Sequence, residues 1–484
     1  MTPRVTFRGA NWTHVSAKEI DEIGSSKWRL DCTTMVLRSG ASSHPARLSG
    51  PGTIHQSQDG HIHFRLYASR ERNLDEWRAY DALRAGEIIP DTAYYTLVAT
   101  DTSGRQWKCS RFIPSFDRGT TGKSIAFGVL PDIESRGRLP TSFSPRSSTL
   151  SLWVFDDVAI PCNANTTTTT SVARGTTRSK QGTRNAWRFR SLGIDFLIRR
   201  MHSTLLVVEA SLLSGPLPLA FEDRLMEALE FVLGRTMVWT IMNVKRGRSQ
   251  TVAVRELPRR AKGGRFQAPL PPQHLALNAR GKYTTAFHRS LFERYLAHTV
   301  GHRGRHHALW GLLSAVREAS AAAFLDAEAL TVTVAIESLL HSEFPNLGHP
   351  TKSEKKAISK LKAYLQRWRG SQDLKDRVAG SIAQLTQSRA MDKMRKLATS
   401  GAITQRQLEA WQRLRNPTTH AYLRSGISST ELIDLVQQME VLLYHLTFLA
   451  IGYRGPYMDF ASPDWPTRTY EAPRRRKARR NVAA

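Results

Sequence analysis

The sequence predicts an α+β multidomain protein in which a β-rich antiparallel N-terminal region precedes an all-α helical bundle. Two observations support this fold class. In the first half, short runs rich in β-branched and aromatic residues are separated by Gly, Pro, Asp and Ser clusters, as in antiparallel sheets. From about residue 287 onward, apolar residues instead recur at spacings of three and four, as on one face of a helix.

The β-rich region spans residues 1–160, and one short helix around Asn73–Ala85 interrupts it. Its clearest predicted strands are His61–Tyr67, Tyr94–Ala99 and Leu150–Phe155. Residues 161–187 are rich in Thr, Ser, Asn, Gly and Arg, and include a run of threonines. We predict a loop or linker there, because so polar a stretch cannot bury apolar surface.

Residues 188–283 continue the N-terminal region as a mixed α+β segment. Strand patterns resume at Leu192–Ile198 and at Leu205–Val208. A helix is predicted from about Glu222 to Met242, with apolar residues on one face. The segment after this helix is basic and broken by Pro and Gly.

The helical bundle spans residues 284–455, and its last helix has the clearest pattern. Ser428 and Glu431 form a capping box at the start of that helix. Its apolar stripe, which is typical of a bundle core, consists of Leu432, Leu435, Met439, Leu442, Leu446 and Leu449. A basic tail at 456–484 follows, and we predict disorder from Pro473 onward.

The net charge indicates a polyanionic partner. Lys and Arg number 70 against 41 Asp and Glu, a formal charge of +29, so nucleic acid is the leading candidate and an anionic membrane surface the second. The chain has three cysteines, which lie far apart in the sequence, so they predict neither a disulfide framework nor a Cys-based zinc site. We therefore expect a reduced, cytoplasmic setting. The apolar stretch Ser203–Phe221 is interrupted by Glu, Gly and Pro, so we expect no membrane span, and the N-terminus lacks a signal-peptide pattern.

The candidate site lies in the stretch Thr404–Leu423, where Thr404 and Gln407 predict a helix start. On a straight helix Arg415 and His420 would diverge by ~140°. We therefore predict a break at Asn416, with a new turn beginning at the following proline. The break would bring imidazole and guanidinium together beside free backbone N–H groups, which bind phosphate. Imidazole moves protons and Arg stabilises a phosphorane, so the set suits RNA transesterification.

These residues carry a family resemblance. The stretch from Arg415 to His420 fits the R-N-x-x-x-H form of the R-x(4–6)-H signature of HEPN domains. The chain more specifically resembles the Apea-like group, in which a β-rich region precedes the HEPN module. The helix around Ala335–Leu340, with Glu337 and His341 four residues apart, is also similar to that group, and so, more weakly, is the segment Ala46–Ile54.

The resemblance implies an endoribonuclease that needs neither metal nor another cofactor and works as a homodimer with its two motifs facing each other. It implies Arg415, Asn416 and His420 as catalytic residues, with Glu337 and His341 in support. It further implies a role in phage defence or toxin-like arrest of translation, with a phage-derived trigger and transfer RNA as the favoured substrate.

Other interpretations of the same residues stay open. The HEPN domain could be non-catalytic, serving only nucleic-acid binding, regulation or dimerisation. A metal-dependent enzyme could use His298, His302, His306 and His307, although the glycines between them favour a loop. Glu337 and His341 could form an exposed i,i+4 pair. In the basic helix predicted at Lys352–Arg369, Tyr364 and Trp368 could face RNA or serve as packing residues.

Overall fold

In the computed structural model, the chain separates into a unit of strands and a unit of helices. The first unit comprises Met1–Leu219 and Met237–Ala261, and the second comprises Ala220–Thr236 and Lys262–Ala484. The structure describes residues 15–40, 47–69, 89–118, 123–139, 147–165, 167–172, 175–180, 184–257, 266–271, 285–302, 304, 306–322, 324–385, 388–419 and 427–472. The predicted order, a β-rich half followed by a helical half, is confirmed.

The first unit is built on one sheet of 14 strands. After helix α1 (Ala17–Gly24), its strands are β1 (Arg29–Ser39), β2 (Arg47–Gln56), β3 (Ile62–Ser69), β4 (Tyr95–Asp101), β5 (Gln106–Phe112), β6 (Ser115–Arg118), β7 (Lys123–Leu130), β8 (Asp132–Arg138), β9 (Ser148–Val154), β12 (Ala186–Ser191), β13 (Ile194–His202), β14 (Leu205–Leu212), β15 (Ile241–Arg246) and β16 (Ser249–Arg255). The remaining pair, β10 (Thr167–Val172) and β11 (Gly175–Lys180), forms a separate hairpin.

The sheet runs in the order β12-β13-β14-β9-β15-β16-β8-β5-β4-β1-β2-β3-β7-β6. Its pairings are antiparallel, and the two seven-strand halves meet at β5 and β8, where Lys108 pairs with Glu134. Alternation of buried and half-buried residues along β4 places Leu97 and Ala99 in the core, as a period of two requires. The predicted strands at 61–67, 94–99 and 150–155 are thus present as β3, β4 and β9.

Two details of the N-terminal half differ from the prediction, and a third lies outside the described residues. The strand predicted at 192–198 begins two residues later, at Ile194, and runs on to His202, because Leu192 and Gly193 form a turn with positive φ. The predicted linker at 161–187 contains the hairpin β10–β11. Threonine is β-branched and favours strands, and ladder hydrogen bonds need no apolar burial, so the polar composition did not exclude a hairpin. The helix predicted at 73–85 lies outside the described residues.

The helix predicted at 222–242 is α2 (Phe221–Leu233), which is nine residues shorter at its end. Gly234 ends it in the left-handed conformation at φ 66°, where a Cβ would lie 2.3 Å from the backbone of Ala268. The helix is almost wholly buried and belongs to the second unit, whereas the sequence pattern predicts it as part of the N-terminal region.

The other helices of the second unit are α3 (Ala286–Thr299), α4 (Ala308–Ala321), α5 (Leu325–Ser342), α6 (Lys352–Arg367), α7 (Gln372–Gln384), α8 (Ala390–Thr399), α9 (Gln405–Thr419) and α10 (Ser429–Ile451). The core lies along α10, where Leu435, Met439 and Leu446 are buried as the stripe predicts. Ser428 caps this helix, because its Oγ accepts the N–H of Glu431 at 3.2 Å.

The predicted tail at 456–484 is in part folded. Strands β17 (Gly455–Met458) and β18 (Thr467–Tyr470) pair antiparallel and bury Tyr457 and Tyr470. Residues 473–484, for which disorder was predicted, lie outside the described part of the chain. Among the helices that the structure describes, none is long and apolar enough to cross a bilayer.

Candidate active site

The motif helix α9 is fixed at its N-terminus by the predicted capping box. The N–H of Gln407 donates to Thr404 Oγ1 at 3.1 Å, and the N–H of Thr404 donates to Gln407 Oε1 at 2.9 Å. The Gln407 amide nitrogen also lies 3.1 Å from Nδ1 of His445 in α10. Burial lowers the pKa of His445 to about 3, so the ring is neutral and shares a hydrogen bond with the Gln407 amide through Nδ1. One glutamine therefore caps α9 and ties it to the bundle core.

The face of α9 predicted to be apolar is buried. Leu408, Trp411 and Leu414 are each at most 5% exposed, and the helix packs on α5 and α10. Burying side chains of this size contributes roughly 2 kcal/mol each. Because these residues precede Arg415 by one to seven positions, the backbone of the motif is held by the core rather than by a loop.

The structure brings two of the predicted site residues together. Arg415 Nε donates to Glu337 Oε1 of α5, and the two side chains are 40% and 33% exposed. The guanidinium carbon also lies 5.4 Å from the ring centroid of Trp411. Glu337 thus pairs with Arg415 of a different helix. His341, one turn further along α5, is exposed.

The predicted helix break at Asn416 is wrong. The backbone of α9 continues as helix through Asn416 and Pro417 to Thr419. A proline inside a helix loses one hydrogen bond and crowds the preceding turn at a cost of about 3 kcal/mol. The burial of Trp411 and Leu414 just before it is large enough to offset that cost. The side chain of Asn416 and all of His420 lie outside the described residues.

A second cluster joins His298, His307 and Glu343, whose ligand atoms all lie within 4.8 Å of one another. His298 Nε2 is 3.0 Å from Glu343 Oε2, and this hydrogen bond is the main cause that lowers the pKa of Glu343. Two imidazoles and a carboxylate match the protein ligands of catalytic zinc sites, so these three residues could hold a divalent metal ion.

The tautomer of His307 argues against a metal in this cluster. Its Nδ1 accepts the N–H of Leu309 at 3.2 Å and so caps α4. Burial lowers the pKa of His307 to about 4, so the neutral ring carries its proton on Nε2 and has no free lone pair there. A metal would have to displace the cap or that proton. The cluster therefore fits a hydrogen-bonded anchor for the loop before α4.

The other histidines of the predicted metal set do not complete a ligand shell. His306 stacks on Trp310, with ring centroids 4.2 Å apart, and its Nδ1 lies 3.4 Å from Glu227. His302 lies with its ring centroid 5.0 Å from that of His307. Sequence spacing missed Glu343, which comes 36 residues after His307 in the chain. Such a partner has no local signal in the sequence.

No known protein family matches the chain, and no curated protein is detectably similar to it. Of the five residues predicted for the site, Arg415 and Glu337 are in contact, and His341 lies on the same helix as Glu337. The carboxylate of Glu337 is thus the structural partner of the motif arginine.

Proposed function

We propose that the chain is a metal-independent endoribonuclease of HEPN type. The observation that carries the proposal is the setting of Arg415, which sits on a core-anchored helix and is held by Glu337 of the neighbouring helix. Thr419 lies one helical turn after Arg415, about 6 Å along the axis, and His420 is its covalent neighbour. Because α9 continues without a break to Thr419, the proposal requires the chain to turn after Thr419 so that His420 can reach the phosphate held by Arg415.

The proposed reaction is attack of the ribose 2′-OH on the adjacent phosphorus. One His420 accepts the 2′-OH proton, and His420 of a second protomer, or water, donates a proton to the leaving 5′-oxygen. Arg415 neutralises charge on the phosphorane, while Asn416 orients the phosphate or His420. The products are a 2′,3′-cyclic phosphate and a 5′-hydroxyl.

Glu337 is proposed to orient Arg415 without competing strongly with substrate. The Arg415 and Glu337 side chains are 40% and 33% exposed, and ion pairs with this much solvent exposure contribute about 0–1 kcal/mol to stability. A substrate phosphate can therefore displace Glu337 as the partner of the Arg415 guanidinium, since a charge-assisted, bidentate Arg–phosphate contact is stronger than this exposed ion pair. We propose no role for His341 beyond support of the catalytic residues.

From the resemblance to HEPN domains of the Apea-like group, the substrate we favour is transfer RNA, cut in phage defence or translation arrest after a phage-derived trigger. A non-catalytic, RNA-binding or regulatory role is the second candidate. The Arg415–Glu337 pair favours it to the extent that Arg415 only joins α9 to α5. Cleavage assays separate the two, because the second role leaves RNA intact.

Cleavage by the purified protein is expected to persist in excess EDTA, because the proposed chemistry uses imidazole and guanidinium alone. The fragments are expected to carry 5′-hydroxyl ends, which polynucleotide kinase labels without prior phosphatase treatment, and 2′,3′-cyclic phosphates. Activity that disappears with EDTA and returns with Zn²⁺ or Mg²⁺ would contradict the mechanism. In that case His298, His307 and Glu343 would be the first residues to test.

The active unit is expected to be a homodimer, because one protomer supplies one His420 while the reaction needs a proton acceptor and a proton donor. Sedimentation at micromolar protein should give twice the 54.5 kDa chain mass. The rate per chain should fall on dilution below the dimer dissociation constant. A monomer that cleaves at a constant rate per chain across that range would exclude the shared site and leave the ribonuclease proposal standing.

A further inference from the structure

Helices α6 and α7 pack on each other as a helical hairpin that differs from the rest of the second unit. We call residues 352–384 the basic hairpin. None of the residues of α6 is buried, whereas 15 of the 23 residues of α10 are. A helix without a buried face gains little from tertiary packing, so the surface of this hairpin calls for another explanation than core formation.

The charge of the hairpin is one-sided. Residues 352–369 contain seven Lys or Arg and one acidic residue, Glu354. The Glu354 carboxylate is engaged at the helix start, where it accepts the N–H and hydroxyl of Thr351 at 2.6 and 2.8 Å. In the part of the chain that the structure describes, none of the seven basic side chains forms an ion pair. The net charge of about +6 on this short segment is therefore left facing solvent.

Large apolar and aromatic side chains lie among these charges. Tyr364 is 72% exposed, Leu361 45% and Trp368 38%, and they follow one another at spacings of three and four. Leu374 and Val378 of α7 are also exposed, at 48% and 37%. The sequence left open whether Tyr364 and Trp368 are packing residues. Within this chain Tyr364 is not, because most of its surface is in water.

We propose that the basic hairpin is a docking site for single-stranded RNA. The basic side chains contact phosphates, and the rings of Tyr364 and Trp368 stack on unpaired bases, a combination that binds single strands with little sequence preference. A second copy of the chain is disfavoured as the occupant, because two surfaces of the same strong charge repel each other. The proposal rests on the proposed function only for the choice of RNA as polyanion, since binding here needs neither Arg415 nor His420.

Binding is tested with wild-type full-length protein and a fluorescein-labelled 2′-O-methyl single-stranded oligonucleotide, which cannot be cut by 2′-OH attack. The Tyr364→Ala/Trp368→Ala double variant is expected to bind about tenfold or more weakly by anisotropy. The matched control is Trp465→Ala, which removes a ring of similar exposure, 44%, elsewhere in the same unit. It is expected to bind like wild type. Cleavage is measured separately, so absence of cleavage leaves this readout unaffected.

The electrostatic part is tested by the triple variant Lys356→Gln/Lys360→Gln/Lys362→Gln. The slope of log affinity against log salt is expected to become shallower by about 2, since each phosphate contact on a single strand contributes ~0.7. Unchanged affinity and slope in both variants would overturn the proposal. The proposal would also be overturned if the variants bound RNA like wild type but lost self-association in sedimentation, or lost binding to phosphatidylserine vesicles. Those outcomes would assign the surface to a second copy or to a membrane.

Discussion

Alanine in place of Arg415 or His420 is expected to abolish RNA cleavage while the protein still folds. A general acid–base residue contributes typically 10²-fold or more, so His420→Ala should lower the rate at least by about that factor. Arg415→Ala removes the positive charge that stabilises the phosphorane, with a loss of similar size. The measurement is the single-turnover cleavage rate of each purified variant on total transfer RNA.

The helix itself provides a matched control. Arg413 lies two residues before Arg415, is 56% exposed at its side chain and pairs with Glu431. Arg413→Ala removes an equal charge from α9 and is expected to retain activity. If Arg415 serves only to join two helices, Arg415→Ala and Glu337→Gln should lower the melting temperature by similar amounts. In that case the wild-type protein itself should not cleave RNA. Full activity in either the Arg415 or the His420 variant would end the catalytic assignment.

The features that the sequence predicted well are local ones. The capping box at Thr404 depends on residues three positions apart and is formed as predicted. At the start of α10 the Ser428 side chain accepts the N–H of Glu431 as predicted, while the Glu431 carboxylate pairs with Arg413 of α9. The stripe on α10 depends on period alone. The strand at Tyr95–Asp101 likewise follows from an alternation of two, because one face of the sheet is buried.

The features that the sequence did not predict depend on partners far away in the chain. Pro417 predicts a break by local rules, but the packing of Trp411 and Leu414 dominates. Arg415 meets Glu337, 78 residues before it in the chain. The predicted start of the helical bundle at residue 284 left α2 in the N-terminal region. The local sequence pattern of α2 does not show which of the two units buries this helix. That assignment follows from buried charges on the helix.

These buried charges join α2 to α4. Arg317 Nη2 donates to Glu230 Oε2 at 3.0 Å, and the side chains are 5% and 3% exposed. The indole N–H of Trp310 donates to the same carboxylate oxygen, and Arg317 Nη1 lies 3.4 Å from the Glu230 carbonyl. The buried Glu230 carboxylate is stabilised because Trp310 and Arg317 both donate hydrogen bonds to it. These two donors would lose this acceptor if the carboxylate were removed.

Glu230→Ala is therefore expected to destabilise the helical unit by about 3–5 kcal/mol, because it leaves the Arg317 guanidinium buried without its counter-charge. The measurement is guanidinium denaturation followed by far-ultraviolet circular dichroism. Glu293→Ala is the control: it breaks a partly exposed i,i+4 pair with Arg289 on α3 and should cost at most about 1 kcal/mol. Glu230→Leu combined with Arg317→Met removes both charges and should recover much of the loss. A Glu230→Ala protein no less stable than the control would show that the buried pair does not hold α2 in the helical unit.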